Sequence, residues 1–412
     1  MKNNRTFLEK LLDGSEVEWR TIAEISNKVS SGGTPATSNN SYYENGNIPW
    51  LRTQEVDFKE IWDTDIKITE EGLNNSSAKW IPENCVIIAM YGATVGKIAI
   101  NKIPLTTNQA CANIEVNSEI AHYRYVFHYL MSQYEYIKSL GSGSQTNINA
   151  QIVKKIKIPI PPLSVQTEIV KILDALTALT SELTSELTSE LTLRRKQYEY
   201  YRETLLSPDN LEQLNTGGAK KKLSDVVNIY LGLTYTPTYV ENGVKFISAQ
   251  NTSNDFLDLS NTKFISREEF EKSTSNAKPK RGDILFTRVG SNLGHPVIVD
   301  TDEDLCIFVS LGFLRVKDKN ILNSYIKHWM NTDLFWKQVE KNVHGSAKVN
   351  LNTGWLKNFE IYIPPLEEQQ RIVSILDKFE TLTNSITEGL PLAIEQSQKR
   401  YEYYRELLLN FS

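Results

Sequence analysis

The chain is poor in the residues from which metal centres and nucleophilic sites are built. Its three cysteines, Cys85, Cys111 and Cys306, stand far apart in mostly apolar surroundings without metal-ligand spacing, so free buried thiols in a reducing cytoplasm are expected. The five histidines form no ligand pattern, and no Ser/His/Asp or paired-carboxylate arrangement stands out. No catalytic centre, metal or cofactor is therefore expected. No apolar run approaches the roughly 20 residues that span a bilayer, and Met1-Lys2-Asn3-Asn4-Arg5 leads into no signal-peptide core, which points to the cytoplasm and away from membranes. Gly92-Ala93-Thr94-Val95-Gly96-Lys97-Ile98 has three residues between its glycines and Ile98 after the lysine. A phosphate-binding loop needs four residues there and a hydroxyl after the lysine, so a strand-turn-strand is expected instead. Pro-Pro-Leu at residues 161–163 and 364–366 is not the Asn/Asp-Pro-Pro-aromatic pattern of an amino methyltransferase; it suits the halt of a strand and the start of a helix.

One further absence organises the chain. Residues 163–207 contain neither Gly nor Pro, and at their centre Thr-Ser-Glu-Leu occurs three times in succession, over residues 180–183, 184–187 and 188–191. Ile169, Ile172, Leu173, Leu176, Leu179 and Leu183 give an apolar face upstream. This pattern predicts one long helix with a stripe at Leu179, Leu183, Leu187 and Leu191, roughly 65 Å long at about 1.5 Å per residue. Such a rod cannot bury itself in an ordinary domain and must hold other parts apart.

The rod occurs twice. Pro161 to Asp174 matches Pro364 to Asp377, and Tyr198-Glu199-Tyr200-Tyr201-Arg202-Glu203 matches Tyr401-Glu402-Tyr403-Tyr404-Arg405-Glu406, both at an offset of 203 residues. A period of half the chain reads as tandem duplication of a domain with its helix. The expected fold class is α+β, mixed α/β: two globular domains separated by two long antiparallel helices in a coiled-coil-like spacer, related by a pseudo-twofold internal repeat. The expected boundaries are a short N-terminal helix at 1–15, a first domain at 16–160, the repeat-bearing helix at 161–207, a linker at 208–222, a second domain at 223–362 and a C-terminal helix at 363–411. Phe7, Leu8, Leu11 and Leu12, ended by Asp13-Gly14, form an amphipathic helix placed to cap the second rod. Gly389-Leu390-Pro391 should kink or interrupt that rod.

The formal net charge of −5 becomes informative once apportioned. Residues 163–206 carry five basic and seven acidic side chains, and residues 366–411 carry five and eight. The rods therefore hold the entire excess, and the globular parts are neutral overall while free to present basic faces. The second half repeats the first in weakened form: Thr236-Pro237 after Thr34-Pro35, Gly290 and Gly294 after Gly92 and Gly96, Asn350-Leu351-Asn352 after Asn147-Ile148-Asn149. The frame is kept while the loops differ. Side chains suited to base edges or phosphates are Arg52, Thr53, Gln54, Tyr91, Thr94, Lys97, Asn108 and Gln109 in the first half, with Ser248, Gln250, Asn251, Arg288, Ser291, Asn292 and His295 in the second. Lys278, Lys280 and Arg281 add a local basic cluster.

In combination, Gly32-Gly33-Thr34-Pro35 with Ile48-Pro49-Trp50, the paired Ile-Pro-Pro-Leu helix starts, Ile169 to Asp174 with Ile372 to Asp377, the paired Tyr-Glu-Tyr-Tyr-Arg and the tetrapeptide repeats resemble the specificity subunit of type I restriction-modification systems along essentially the whole chain. The resemblance implies a non-catalytic subunit with two target recognition domains, each reading half of a bipartite site on double-stranded DNA through the major groove. It implies helices that act as spacer and as docking surface for two adenine-methylating subunits, with restriction and translocase subunits completing the assembly. Two rival readings are a two-headed protein-binding scaffold and a stand-alone DNA methyltransferase or nuclease; the lack of cofactor and metal motifs opposes the second. In the light of the resemblance the repeats gain a mechanism. Four residues turn a helix by about 400°, a net 40°, and advance it about 6 Å, while one base pair of B-DNA turns by roughly 35° and rises about 3.4 Å. Each repeat should therefore count for about one base pair of the gap between half-sites.

Overall fold

In the computed structural model the described residues are 6–411 except 142–146, 214–216, 274, 291, 343–349 and 386–387. The chain divides into two compact units, residues 1–184 with 396–412, and residues 185–395.

In the first unit Glu18–Thr21 pairs antiparallel with Lys157–Ile160, tying the start of the globular part to its last strand. A five-stranded sheet runs in the order Ser26–Ser31, Cys111–Val116, Val86–Ala89, Ile98–Asn101, Lys59–Ile61. A second sheet orders Lys67–Ile68, Ile48–Leu51, Leu105–Thr107, Trp80–Ile81. At its centre Trp50 faces Thr106 and Leu51 faces Thr107 in parallel register. The helix starting at Leu163 is part of this core, because Val165, Ile169, Val170 and Leu173 are buried with Ile22, Val86, Ile98, Tyr125 and Leu130. Each such aliphatic side chain contributes about 1.5–3 kcal/mol of burial. The N-terminal helix Phe7–Leu12, capped by Thr6 and closed by Asp13 in a left-handed conformation, buries Leu8 in the cluster that holds Leu408 and Leu409.

The second unit repeats this plan. Ala219–Lys222 pairs with Glu360–Ile363. One sheet orders Val227–Leu231, Leu311–Val316, Ile284–Thr287, Pro296–Ile298, and the other Tyr239–Val240, Lys263–Ile265, Val244–Ile247, Leu305–Ile307. The last two are again parallel. Ile372 and Leu376 enter this core from the C-terminal helix.

The long helix spans Leu163–Leu205 without interruption, tetrapeptide tract included. Within the first unit Thr177 donates to the Tyr401 hydroxyl at 3.0 Å, while the earlier Leu173 shares a core with the later Leu408. Within the second, Tyr198 and Tyr201 stack on Phe379, while Leu206 is buried with Ile372 and Leu376. In each unit the two helical segments run antiparallel. The expected single leucine stripe is corrected. Leu187 and Leu191 are half-buried, but Leu179 is 62% and Leu183 38% exposed. A four-residue period overshoots the 3.6-residue turn by about 40° per unit, so successive leucines precess off the face, and Thr180 and Thr184 occupy it instead. The second rod is interrupted as expected: Leu366–Asn384 ends, and Gly389–Leu409 begins with Gly389 at φ +80 and Pro391 in the first turn, where its missing N–H costs nothing. Two consecutive helices, Tyr123–Ser132 and Tyr134–Ser139, pack in the first unit. Among the described residues no helix is long and apolar enough to cross a membrane.

Candidate nucleic-acid interface

The strand-turn-strand at Gly92 is what the spacing predicted. Val86–Ala89 and Ile98–Asn101 form an antiparallel pair joined by a 3-10 turn at Gly92–Thr94. Gly92 and Gly96 both lie at φ +82, a region open to glycine at little cost. No helix follows the turn, so its backbone N–H groups form no phosphate cradle.

This turn sits at the end of the parallel strand pair. Thr94 donates its hydroxyl proton to the Thr53 carbonyl at 2.8 Å, and the Asn108 N–H donates to the Leu51 carbonyl at 2.9 Å. Gly33 N–H donates to the Thr107 carbonyl at 2.9 Å, the Trp50 indole N–H to the Gly33 carbonyl at 2.9 Å, and the Thr34 hydroxyl to the Gln109 side chain. All eight residues singled out in the first half thus lie on one rim, built from the ends of two adjacent parallel strands and one hairpin turn. Gln54, Tyr91 and Gln109 are exposed on it. Arg52 is half-buried, 3.5 Å from Glu55 and 3.9 Å from Asp65. Thr53 is buried, and Lys97 is paired with Asp57 at 2.7 Å. Sequence reasoning passed over Thr34 and the reason for its neighbouring glycines. A Cβ on Gly32 would overlap the Thr107 carbonyl, and one on Gly33 would overlap the backbone at Ser77.

The second half builds its rim at the equivalent place. Val244–Ile247 runs into the 3-10 turn Ala249–Thr252, and Gly232 packs against the Phe308 carbonyl as Gly32 does against Thr107. Asn292 donates to the Ser253 carbonyl at 3.1 Å, and His295 Nε2 lies 3.0 Å from the Asn254 carbonyl. Gln250 and Asn292 are exposed, and Ser248 and His295 half-buried. Asn251 is buried, accepting from Ser248 N–H and donating to the Asp258 and Asn261 carbonyls, so its amide is spent on the loop. Arg288 donates to the Val309 carbonyl at 3.1 Å and the Leu351 carbonyl at 3.4 Å. Burial pushes its pKa down, and among the described residues no carboxylate pairs with it. Ser291 lies outside the described residues. The basic cluster is partly engaged: Arg281 pairs with Asp302 at 2.9 Å, and Lys278 sits 4.5 Å over the Phe270 ring.

The three thiols are buried; burial pushes Cys85 and Cys111 up to about 12 and Cys306 to about 11. The fold also brings His328 to Asp377 and Glu380, one helical turn apart on Leu366–Asn384, so that the three lie within ligand distance of one another. Both Glu380 oxygens accept from Lys327 at 2.7 and 2.8 Å, His328 Nε2 is 2.7 Å from Asp377, and Nδ1 is 3.3 Å from the Tyr198 hydroxyl. The Lys327 ammonium already occupies both Glu380 oxygens, and both ring nitrogens of His328 are engaged. This cluster acts as a polar pin between helices, and its counterpart in the first unit joins His128, Arg124 and Asp174.

A duplicated α/β head, each with its rim and fused to a long helix, defines a two-headed protein. The type I restriction modification DNA specificity domain matches residues 14–193 and again 217–396, and the chain belongs to that family, carrying the domain twice. A Haemophilus influenzae protein named as a type I restriction enzyme specificity subunit, S.HindORF215P, is 42% identical over 100% of both chains. The EcoR124I/EcoR124II specificity subunit of Escherichia coli is 32% identical over 98% of this chain and 97% of its own. A solved chain from a type I R-M system has the same fold, with a TM-score of 0.63 at 18% identity over 96% of this chain and 98% of that one.

Proposed function

We propose that this chain is the non-catalytic subunit that chooses the DNA target of a type I restriction-modification complex in the cytoplasm. Residues 16–160 and 223–362 serve as two heads, each reading one half of a bipartite duplex site through the major groove. The observation that carries this reading is the duplicated rim, which keeps its strand frame and the exposed glutamine after the central strand, Gln54 and Gln250, while its other exposed side chains differ, Tyr91 and Gln109 in one against Asn292 in the other. Gln54, Tyr91, Asn108 and Gln109 in the first head, with Gln250, Arg288, Asn292 and His295 in the second, are the groups placed to meet base edges and phosphates. Arg52 and Lys97 stand beside them, each already near a carboxylate. Arginine with its two parallel donors suits guanine, and glutamine with one donor and one acceptor suits adenine, in that groove.

The helices set the gap and receive two methyltransferase subunits, through which restriction subunits join. Tyr200 and Tyr201 form an edge-to-face pair with centroids 5.6 Å apart, and Tyr403 and Tyr404 form another at 5.4 Å. All four are at least 40% exposed. Two matching aromatic patches at one offset suit two copies of one partner, aromatics being the usual anchors of protein interfaces. The test is selection from random-sequence duplexes by the chain purified with its co-expressed methyltransferase subunit. The expected motif has two short specified blocks around an unspecified gap. A single unbroken block, or no enrichment, contradicts the proposal.

A further inference from the structure

The two rims share a feature that their divergent residues conceal. Lys97 follows the first glycine turn and His295 the second, at an offset of 198 residues; Asp57 and Asp255 are separated by the same 198. In the first head Lys97 Nζ lies 2.7 Å from Asp57 Oδ1. In the second, His295 Nε2 donates to the Asn254 carbonyl at 3.0 Å with Asp255 Oδ1 3.5 Å away. Each head therefore sets a nitrogen side chain of its hairpin turn against the loop after its central parallel strand beside an aspartate, bonded to the carboxylate in the first and to the neighbouring carbonyl in the second.

The second clasp has an additional arm. Asp255 Oδ2 accepts from Asn384 Nδ2 at 2.7 Å, and Asn384 is the last residue of the C-terminal helix before its interruption. Beside this contact lies a cavity of about 380 Å³ lined by Asp255 and Asn384 themselves with Phe256, Lys327, Glu380 and Thr381. Thr252 and Leu257 are buried at either side, and the exposed stretch 253–256 between them is held by polar ties: Asn292 to Ser253, His295 to Asn254, and Asp255 to the helix. In the first head the corresponding stretch is tied to its own helix by a different route, Glu60 to Arg124 to Asp174.

We propose that Asp255 is a positioning residue for the second half-site, holding the exposed 253–256 stretch at the reading turn with one oxygen and at the spacer helix with the other. Asp57 does the same for the first half-site through Lys97 alone. The inference rests on the DNA-reading function above. A loop held at one end only samples several placements over the groove, and a bidentate base contact tolerates little displacement. Loss of the clasp therefore relaxes sequence preference in one half-site and leaves the other, and the gap, intact.

The experiment uses the full chain purified with its methyltransferase subunit and selection from random duplexes. With Asp255→Asn, preference for the correct base in one half-site is expected to fall at least tenfold, the other staying as strict as in the wild type. Asn384→Ala relaxes the same half-site to a smaller degree, and Asp57→Asn relaxes the opposite one. Should Asp255→Asn yield no assembled complex, Asn384→Ala, at a helix end, carries the decision. Motifs unchanged in both variants, or both half-sites relaxed alike, overturn the proposal. A wild-type complex that enriches no motif overturns the DNA-reading function itself.

Discussion

His128 Nε2 lies 2.7 Å from Asp174 Oδ1, and the second unit repeats the contact between His328 and Asp377 at 2.7 Å. Each aspartate stands on a long helix and each histidine on a helix of the head, so the pair fixes where the head meets its rod. Burial alone would raise the Asp174 pKa, but hydrogen bonds from His128 and Arg124 outweigh it and hold the group down at about 2. A depressed folded pKa gives stability that is present above the unfolded value near 4 and lost as pH falls through the folded one. Asp174→Asn is expected to cost on the order of 1–2 kcal/mol at pH 7, allowing for its partial exposure. The difference from wild type should shrink between about pH 4 and pH 2. Urea unfolding at several pH values checks it.

Gln166 and Gln369 are both fully buried and answer the same need. Gln166 accepts from the His122 N–H at 2.8 Å and donates to the Ile120 and Pro161 carbonyls. Gln369 accepts from the Leu322 N–H at 2.9 Å and donates to the Asn320 and Pro364 carbonyls. Either residue changed to Leu leaves one buried N–H and two carbonyls unsatisfied, with an expected loss of about 3 kcal/mol. Denaturant unfolding of each variant measures it, and the two losses should agree within a factor of two.

The rods were legible because a helix advertises itself locally. The Leu163–Leu205 helix, the N-terminal helix and the Gly92 turn all follow from patterns a few residues long. The partners of the central strand were not, since Trp50 meets Thr106 across an intervening hairpin and helix that no local pattern links. Gln166 reads as a solvated position in an amphipathic helix, and only the folded head supplies its three partners. Leu179 and Leu183 misled for a geometric reason, a four-residue period being close to a helical turn yet not equal to it. The eight candidates of the first half converge on one rim, whereas Asn251 among the second set proves to be loop architecture.

Gly32 separates steric need from backbone freedom. A side chain there would meet the Thr107 carbonyl, while one on Gly92 would meet open space despite its φ of +82. Gly32→Ala should cost about 2–3 kcal/mol by overpacking, more than the roughly 1 kcal/mol expected of Gly92→Ala from its left-handed backbone. Thermal unfolding of the two variants ranks them. Only Gly32→Ala should weaken recognition of one half-site by displacing the loop that carries Thr34.

The most direct test is on the tetrapeptide tract, where the helix is continuous. A chain lacking residues 184–187, one Thr-Ser-Glu-Leu unit, should be expressed in cells with its methyltransferase subunit, and methylated adenines mapped across the genome. The account predicts the same two half-sites with the gap shortened by about one base pair, since one unit turns a helix by about 40° and one base pair turns DNA by roughly 35°. An unchanged gap, or altered bases in either half-site, would contradict it.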